Sequence, residues 1–341
     1  DALVVTNLRN VRYLTGFTGS AGHLVVTDDD AVLVTDERYE TQADEQLAAS
    51  RAPVRAEITT TGQKDATAAA VAGCARIGLE AASVTWAQQR SFAQDWFPTA
   101  ELVPTEALVE TLRLVKDAGE VARIQAAAAI ADAALMAIRT LLLDGPTEAE
   151  FGLELDTEMR RRGASERSFE TIVASGPNGA MPHARPGTRR IRRGDLVVVD
   201  FGATVDGYRS DMTRTLMVGE PSPEQQRLLD VVTAAQAAGV AAVVADVPAK
   251  DVDAACRAVI DAAGWGDRFV HGTGHGVGLD IHEAPWVNAR SAATLAAGHV
   301  VTVEPGVYLP EVGGVRVEDT VLVTEAGNRP LTRAPKDPVV A

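Results

Sequence analysis

The chain has 341 residues, more than one hydrophobic core usually organises, and its 46% hydrophobic and 23% charged residues are those of a globular protein with two domains. A net charge of −15 argues against nucleic acid as a partner, because phosphate binding needs a basic face. Cys74 and Cys256 are too few for a disulfide framework and sit in Ala-rich apolar sequence, so both are expected as free thiols in a cytoplasmic setting.

Along the first third, strands and helices alternate. Leu3-Val4-Val5 is a short apolar run. Leu24-Val25-Val26 and Ala31-Val32-Leu33-Val34 flank Asp28-Asp29-Asp30, a hairpin with an acidic turn. Helix formers follow over 38–49 and 62–72, and Arg76-Ile77-Gly78-Leu79-Glu80 reads as a strand. Residues 1–117 are therefore expected to form an N-terminal α/β domain, and residues 118–341 a second one. The second opens on a long helix from Ala118 to Leu143, ended by Asp144-Gly145-Pro146. Thr147 starts another, with Glu150 as its capping-box partner. No apolar run reads as long enough to cross a bilayer, and no export signal is apparent, so no membrane is expected.

One internal repeat stands out. Gly194-Asp195-Leu196-Val197-Val198-Val199-Asp200-Phe201-Gly202 resembles Gly298-His299-Val300-Val301-Thr302-Val303-Glu304-Pro305-Gly306. In each, a glycine starts a β-branched strand, a carboxylate follows six residues on, and a glycine comes two beyond it. Each strand then meets a turn, read at Asp206-Gly207 in the first copy and Gly313-Gly314 in the second. Each return strand carries an acid and a threonine, as Asp211-Met212-Thr213 and Glu318-Asp319-Thr320. A duplicated α/β half predicts a pseudo-two-fold domain with a cleft between the halves.

The repeat also predicts chemistry. A turn at Asp206-Gly207 puts Asp200 and Asp211 nearly opposite each other, with Cβ atoms about 5 Å apart. Like charges so placed repel unless something neutralises them. Glu304 and Glu318 repeat the arrangement, and four carboxylates on two hairpins call for cations. Carboxylates with one imidazole suit divalent Mn, Co or Zn. The imidazole comes from His271-Gly272-Thr273-Gly274-His275-Gly276-Val277-Gly278, where glycines let backbone approach a site. A phosphate-binding loop is excluded, since Leu279 replaces the third glycine of the dinucleotide pattern and no Walker lysine follows. His282-Glu283 also fails the zinc pattern, with Trp286 where the second histidine belongs.

In chain order, Pro182-His183-Ala184, Val199-Asp200-Phe201-Gly202, Ser210-Asp211-Met212-Thr213-Arg214-Thr215, His271-Gly272-Thr273-Gly274-His275-Gly276, Ile281-His282-Glu283, Val303-Glu304-Pro305-Gly306 and Val315-Arg316-Val317-Glu318-Asp319 resemble the motifs of the pita-bread metallopeptidases, specifically aminopeptidase P and prolidase. Asn10-Val11-Arg12-Tyr13-Leu14-Thr15-Gly16-Phe17 and Thr35-Asp36-Glu37-Arg38-Tyr39 resemble the N-terminal domain of the same enzymes. The resemblance implies an α/β (α+β) protein with a pita-bread catalytic domain, and a dinuclear hydrolase of the Xaa-Pro bond at the start of dipeptides or short peptides. It implies Asp211 and Glu318 as bridging ligands, Asp200 completing one metal, and His275 with Glu304 completing the other. Mn²⁺ is the implied metal, with Co²⁺ or Zn²⁺ as alternatives. It further implies His183, His282 and Glu304 as catalytic, and His271, Arg316 and Tyr208 as substrate-binding, with Tyr308 a further candidate. Short proline-containing peptides are the implied partners, and a homodimer the implied assembly. Creatinase-like enzymes of this fold lack the carboxylate ligands, and methionine aminopeptidases usually lack a domain like residues 1–115. A broader aminopeptidase and a catalytically silent peptide-binding relative are the other readings.

Overall fold

The computed structural model describes residues 1–340, and the chain forms two compact units, Asp1–Arg113 and Leu114–Ala341. In the first, six strands form one mixed sheet in the order Arg55–Thr59, Ala31–Asp36, His23–Thr27, Ala2–Val5, Arg76–Glu80, Glu101–Thr105. The acidic hairpin pairs antiparallel, with Leu24 opposite Leu33 and Val25 opposite Val32. Successive side chains leave opposite faces of a strand, so both faces are apolar. Val5, Leu24 and Leu33 pack on one side with Val11 and Phe17, while Val4, Val25 and Ile77 pack on the other with Phe92 and Phe97.

The second unit repeats one plan. Two helices, Ala118–Ile138 and Glu148–Arg161, precede the antiparallel strands Ile172–Ser175, Leu196–Phe201 and Met212–Val218. Two more, Pro223–Ala242 and Ala249–Ala262, precede Gly274–Gly276, Val300–Val303 and Asp319–Thr324. Three of these helices start on capping boxes that the sequence carries: Asp117/Glu120, Thr147/Glu150 and Ser222/Gln225. The glycines that open the two copies share one left-handed conformation, φ 92° at Gly194 and 89° at Gly298. Odd-numbered residues of each central strand face the helices: Val197, Val199 and Phe201 in the first half, Val301 and Val303 in the second. Alternation therefore turns Asp200 and Glu304 to the other face.

The structure corrects three expectations. Asp200 pairs with Thr213, and the same register places Asp211 opposite Gly202, so the two carboxylates are diagonal neighbours. Gly313 and Gly314 are strand residues paired with Leu309 and Tyr308, and the turn is formed by residues 310–312. Glycine is needed there for close approach, because a Cβ at Gly314 would lie 1.9 Å from the Gly179 carbonyl oxygen. Finally, the helical run Ala118–Asp144 is long and apolar enough to cross a membrane by length and composition. It is nonetheless a packed helix: Ala127, Ala131, Ala134, Leu135 and Ile138 line the first half's core, and Asp132 accepts from the Arg333 and Ala334 amides. The first turn is as read, since Asp206 (φ 47°) and Gly207 (φ 74°) both adopt the positive φ that a tight hairpin requires.

Candidate metal centre and active site

The two halves meet at their return strands. Thr213 of the first copy donates to Glu318 Oε2 of the second at 2.7 Å, and Thr320 of the second donates to the Asp211 carbonyl at 2.7 Å. The Glu318 amide donates to the Thr213 carbonyl at 3.1 Å. This reciprocal stitching brings Asp211 and Glu318 side by side, both buried. Asp211, His275 and Glu318 each offer a ligand atom, all within 4.8 Å of one another. His275 Nε2 lies 3.5 Å from both Asp211 Oδ2 and Glu304 Oε1. Asp200 stands on the other side, accepting from Arg316 Nη2 at 2.6 Å.

The imidazole is set up as a ligand. Nδ1 faces the Gly276 carbonyl at 3.0 Å, and a carbonyl only accepts, so Nδ1 carries the proton and Nε2 presents its lone pair to the carboxylates. Burial holds the His275 pKa down to about 4, which keeps the ring neutral. The carboxylates move the opposite way. Burial, then repulsion from Glu318, Asp200 and Glu304, raises Asp211, and burial, then Glu304 and Asp200, raises Glu318. Burial pushes Glu304 up to about 8 despite the Arg316 charge. Asp200 Oδ1 and Glu318 Oε1 are buried with no hydrogen-bond partner. Oxygens left unpaired beside an unprotonated imidazole nitrogen cost free energy that a divalent cation would recover, and the donor set fits such ions.

A cavity of about 300 Å³ lies against these residues. All five candidate ligands line it, as do His183, His271, His282 and Arg316. His271 Nδ1 faces the Gly272 carbonyl at 2.8 Å, so Nε2 accepts from the Tyr308 hydroxyl at 2.8 Å, which in turn accepts from Arg316 Nη1 at 2.9 Å. Arg316 also donates to Thr213 Oγ1 and the Pro182 carbonyl. It is buried and spans the centre, tied to Asp200 on one side and to the His183 loop on the other. Tyr208 is not brought to the cavity. Its hydroxyl donates to Glu120 at 2.9 Å beneath the helix Ala118–Ile138, and Tyr308 is the tyrosine that joins the site network. Sequence reading passed over Phe169, Trp286 and Asn288 in the cavity wall. It also gave no role to Thr302, whose hydroxyl donates to Glu304 at 3.4 Å, although spacing two residues apart on a strand puts both on one face.

Residues 122–325 match metallopeptidase family M24, and residues 1–115 match the creatinase/prolidase N-terminal domain. The chain belongs to metallopeptidase family M24. Its second unit is the pita-bread domain of that family. This M24 peptidase is 35% identical to the Xaa-Pro dipeptidase of Pyrococcus furiosus, over 99% of the chain and 94% of the relative. The solved structure of an Xaa-Pro dipeptidase from Bacillus anthracis superposes with a TM-score of 0.96 at 39% identity, covering 99% of this chain and 94% of the other. The X-Pro aminopeptidase of Thermotoga maritima superposes with a TM-score of 0.90 at 32% identity, covering 99% and 97%. The M24 fold thus comes with a buried Asp/His/Glu group suited to divalent metal.

Proposed function

We propose that this M24 peptidase hydrolyses the Xaa-Pro bond of dipeptides, using two divalent ions, with Mn²⁺ as the physiological metal. The observation that carries the reading is the grouping of Asp211, Glu304 and Glu318 about the unprotonated Nε2 of His275, with Asp200 in the wall of the same cavity. Asp211 and Glu318, one from each half, are assigned to hold both ions, Asp200 to complete one, and His275 with Glu304 to complete the other. Bound there, divalent ions supply Lewis-acid polarisation of the scissile carbonyl and acidify water. Glu304 is assigned proton transfer to the leaving nitrogen. That nitrogen is tertiary in an Xaa-Pro bond and carries no N–H, so the site need supply no acceptor for it. Among the described residues, the imidazoles of His183 and His282 make no hydrogen bond to the protein, which leaves both free for substrate oxygens. The free thiols fit a reducing cytoplasm.

A second reading, removal of one residue from longer peptides, is favoured by a groove of about 830 Å³ that shares His271, Gly272, Trp286 and Asn288 with the cavity and continues along Val270 and Arg290. A parallel assay of Ala-Pro, Ala-Ala, N-acetyl-Ala-Pro and Ala-Pro-Pro with Mn²⁺, beside metal analysis of the protein, separates these. Ala-Pro is expected to be cleaved orders of magnitude faster than Ala-Ala or the acetylated peptide. Equal rates on Ala-Ala would identify a broad aminopeptidase, and Ala-Pro-Pro cleaved in preference to Ala-Pro would favour the second reading.

A further inference from the structure

The ring of His282 rests edge-on against His275, 4.4 Å between centroids, and no hydrogen bond to the described residues holds it. Its place is therefore set by the backbone that carries it, the loop between Gly274–Gly276 and Glu283–Val287. That loop is pinned by its neighbours: the Arg209 amide donates to the Gly278 carbonyl at 2.9 Å and Arg209 Nε to the Leu279 carbonyl at 3.4 Å, the Val277 amide donates to the Val300 carbonyl at 3.1 Å, and Gly276 pairs with Glu283. The residue after His282 adds an ion pair at this end of the loop that is buried on both sides. Glu283 directs its carboxylate into the interior, where Lys116 Nζ donates to Oε1 at 2.5 Å. The Lys116 side chain is 1% exposed and that of Glu283 10%. Lys116 is itself held by the backbone, its amide donating to the Gly298 carbonyl at 2.8 Å and its Nζ reaching the Leu114 carbonyl at 3.3 Å. The other carboxylate oxygen accepts from the Asp280 amide at 3.4 Å, and Gly278 leaves the carboxylate room, since a Cβ there would lie 2.6 Å from Oε1.

A buried ion pair adds little net stability, because desolvation offsets the attraction; its best-attested use is to fix a register. We infer that Lys116 is a positioning residue for His282: it clamps Glu283 and so sets where the neighbouring imidazole meets the substrate. The inference rests on the reading of His282 as a substrate-contacting group. It gives a role to a lysine 167 positions away in sequence from its partner, at the very start of the catalytic unit.

The test compares wild type, Lys116→Met, Glu283→Gln, His282→Ala and the doubles with His282→Ala, all as full-length, metal-loaded protein. Both clamp variants should keep metal content and lose about a hundredfold in kcat/KM, the usual effect of displacing a reacting group by about 1 Å. In the His282→Ala background they should cause no further loss. Histidine-labelled Zn²⁺-loaded protein should show the His282 imidazole signal, identified by its disappearance in His282→Ala, shifted or broadened in both clamp variants. Wild-type rates with an unmoved signal would overturn the inference, as would a loss that multiplies fully with that of His282→Ala. Should Lys116→Met fail to fold, Glu283→Gln, which keeps the volume and removes the charge, carries the comparison. If wild type fails to cleave Xaa-Pro substrates the functional reading falls, while the imidazole signal still decides whether Lys116 positions His282.

Discussion

At the scale of single residues, hydrogen bonds to backbone carbonyls decide more than charge does. Gly276 fixes the tautomer of His275, and Gly272 fixes that of His271, so each ring enters the site with one nitrogen already committed. The ligand residue types were legible in the sequence because two hairpins repeat them. The tyrosine was not: Tyr208 and Tyr308 both follow a site strand, and only packing beneath the helix Ala118–Ile138 separates the one that bonds Glu120 from the one that bonds His271. Cysteine chemistry belongs to this scale as well. Cys256 lies against Gly239, where a Cβ would come within 2.3 Å of its Sγ, and burial pushes its thiol up to about 12. A thiol reagent at mildly alkaline pH is therefore expected to leave Cys256 unmodified in native protein, with half-buried Cys74 the slower-than-free reactive group, and to titrate both after denaturation. Two fast thiols in the native titration would contradict this packing.

At the scale of elements, the two hairpins share a plan but not its details. Asp200 lies in its strand, offset by two residues from Asp211, whereas Glu304 and Glu318 lie just beyond the ladder that Val303 and Asp319 end, their amides donating out of the hairpin to the Thr273 and Thr213 carbonyls. Strand periodicity and the Asp206-Gly207 turn were readable because both are local. The place of the second turn was not, because Gly313 and Gly314 look like turn residues yet answer to a neighbour outside their hairpin, the segment Gly176–Ala180. Replacing Gly314 with alanine should cost about 3 kcal/mol or more, as overpacking against fixed backbone does. Gly194→Ala is the control. It has φ 92° but nothing within 4 Å, so it pays backbone strain alone, about 1–2 kcal/mol. Thermal unfolding of both variants checks the order, and a Gly194→Ala loss as large as that of Gly314→Ala would refute the close-approach argument.

At the scale of the whole molecule, the metal centre couples stability to pH. Asp211, Glu304 and Glu318 all have native pKa values above those of the unfolded chain. Below about pH 6.5 the buried imidazoles, lowered in the native state, pull the other way, but above it they are neutral in both states, and the metal-free native state binds more protons than the unfolded state up to the Glu304 value of about 8. Stability must fall as pH rises through that window. The Tm of metal-free protein is expected to climb as pH is lowered from about 8.5 to about 6.5, and added Mn²⁺ to raise Tm most at the alkaline end, where carboxylates are free to bind it. Parallel pH profiles with and without metal would exclude a carboxylate-rich centre as the source of the trend. The repeat has a consequence for descent. Each half brings one strand carboxylate and one return-strand carboxylate, and each return-strand threonine serves the opposite half. A half-length ancestor could have assembled four carboxylates around a shared cleft only by pairing with a second copy of itself, and would have done so with identical sides. Fusion of the two copies freed them to diverge, and His275, which occurs on one side only, marks where the ancestral symmetry was given up.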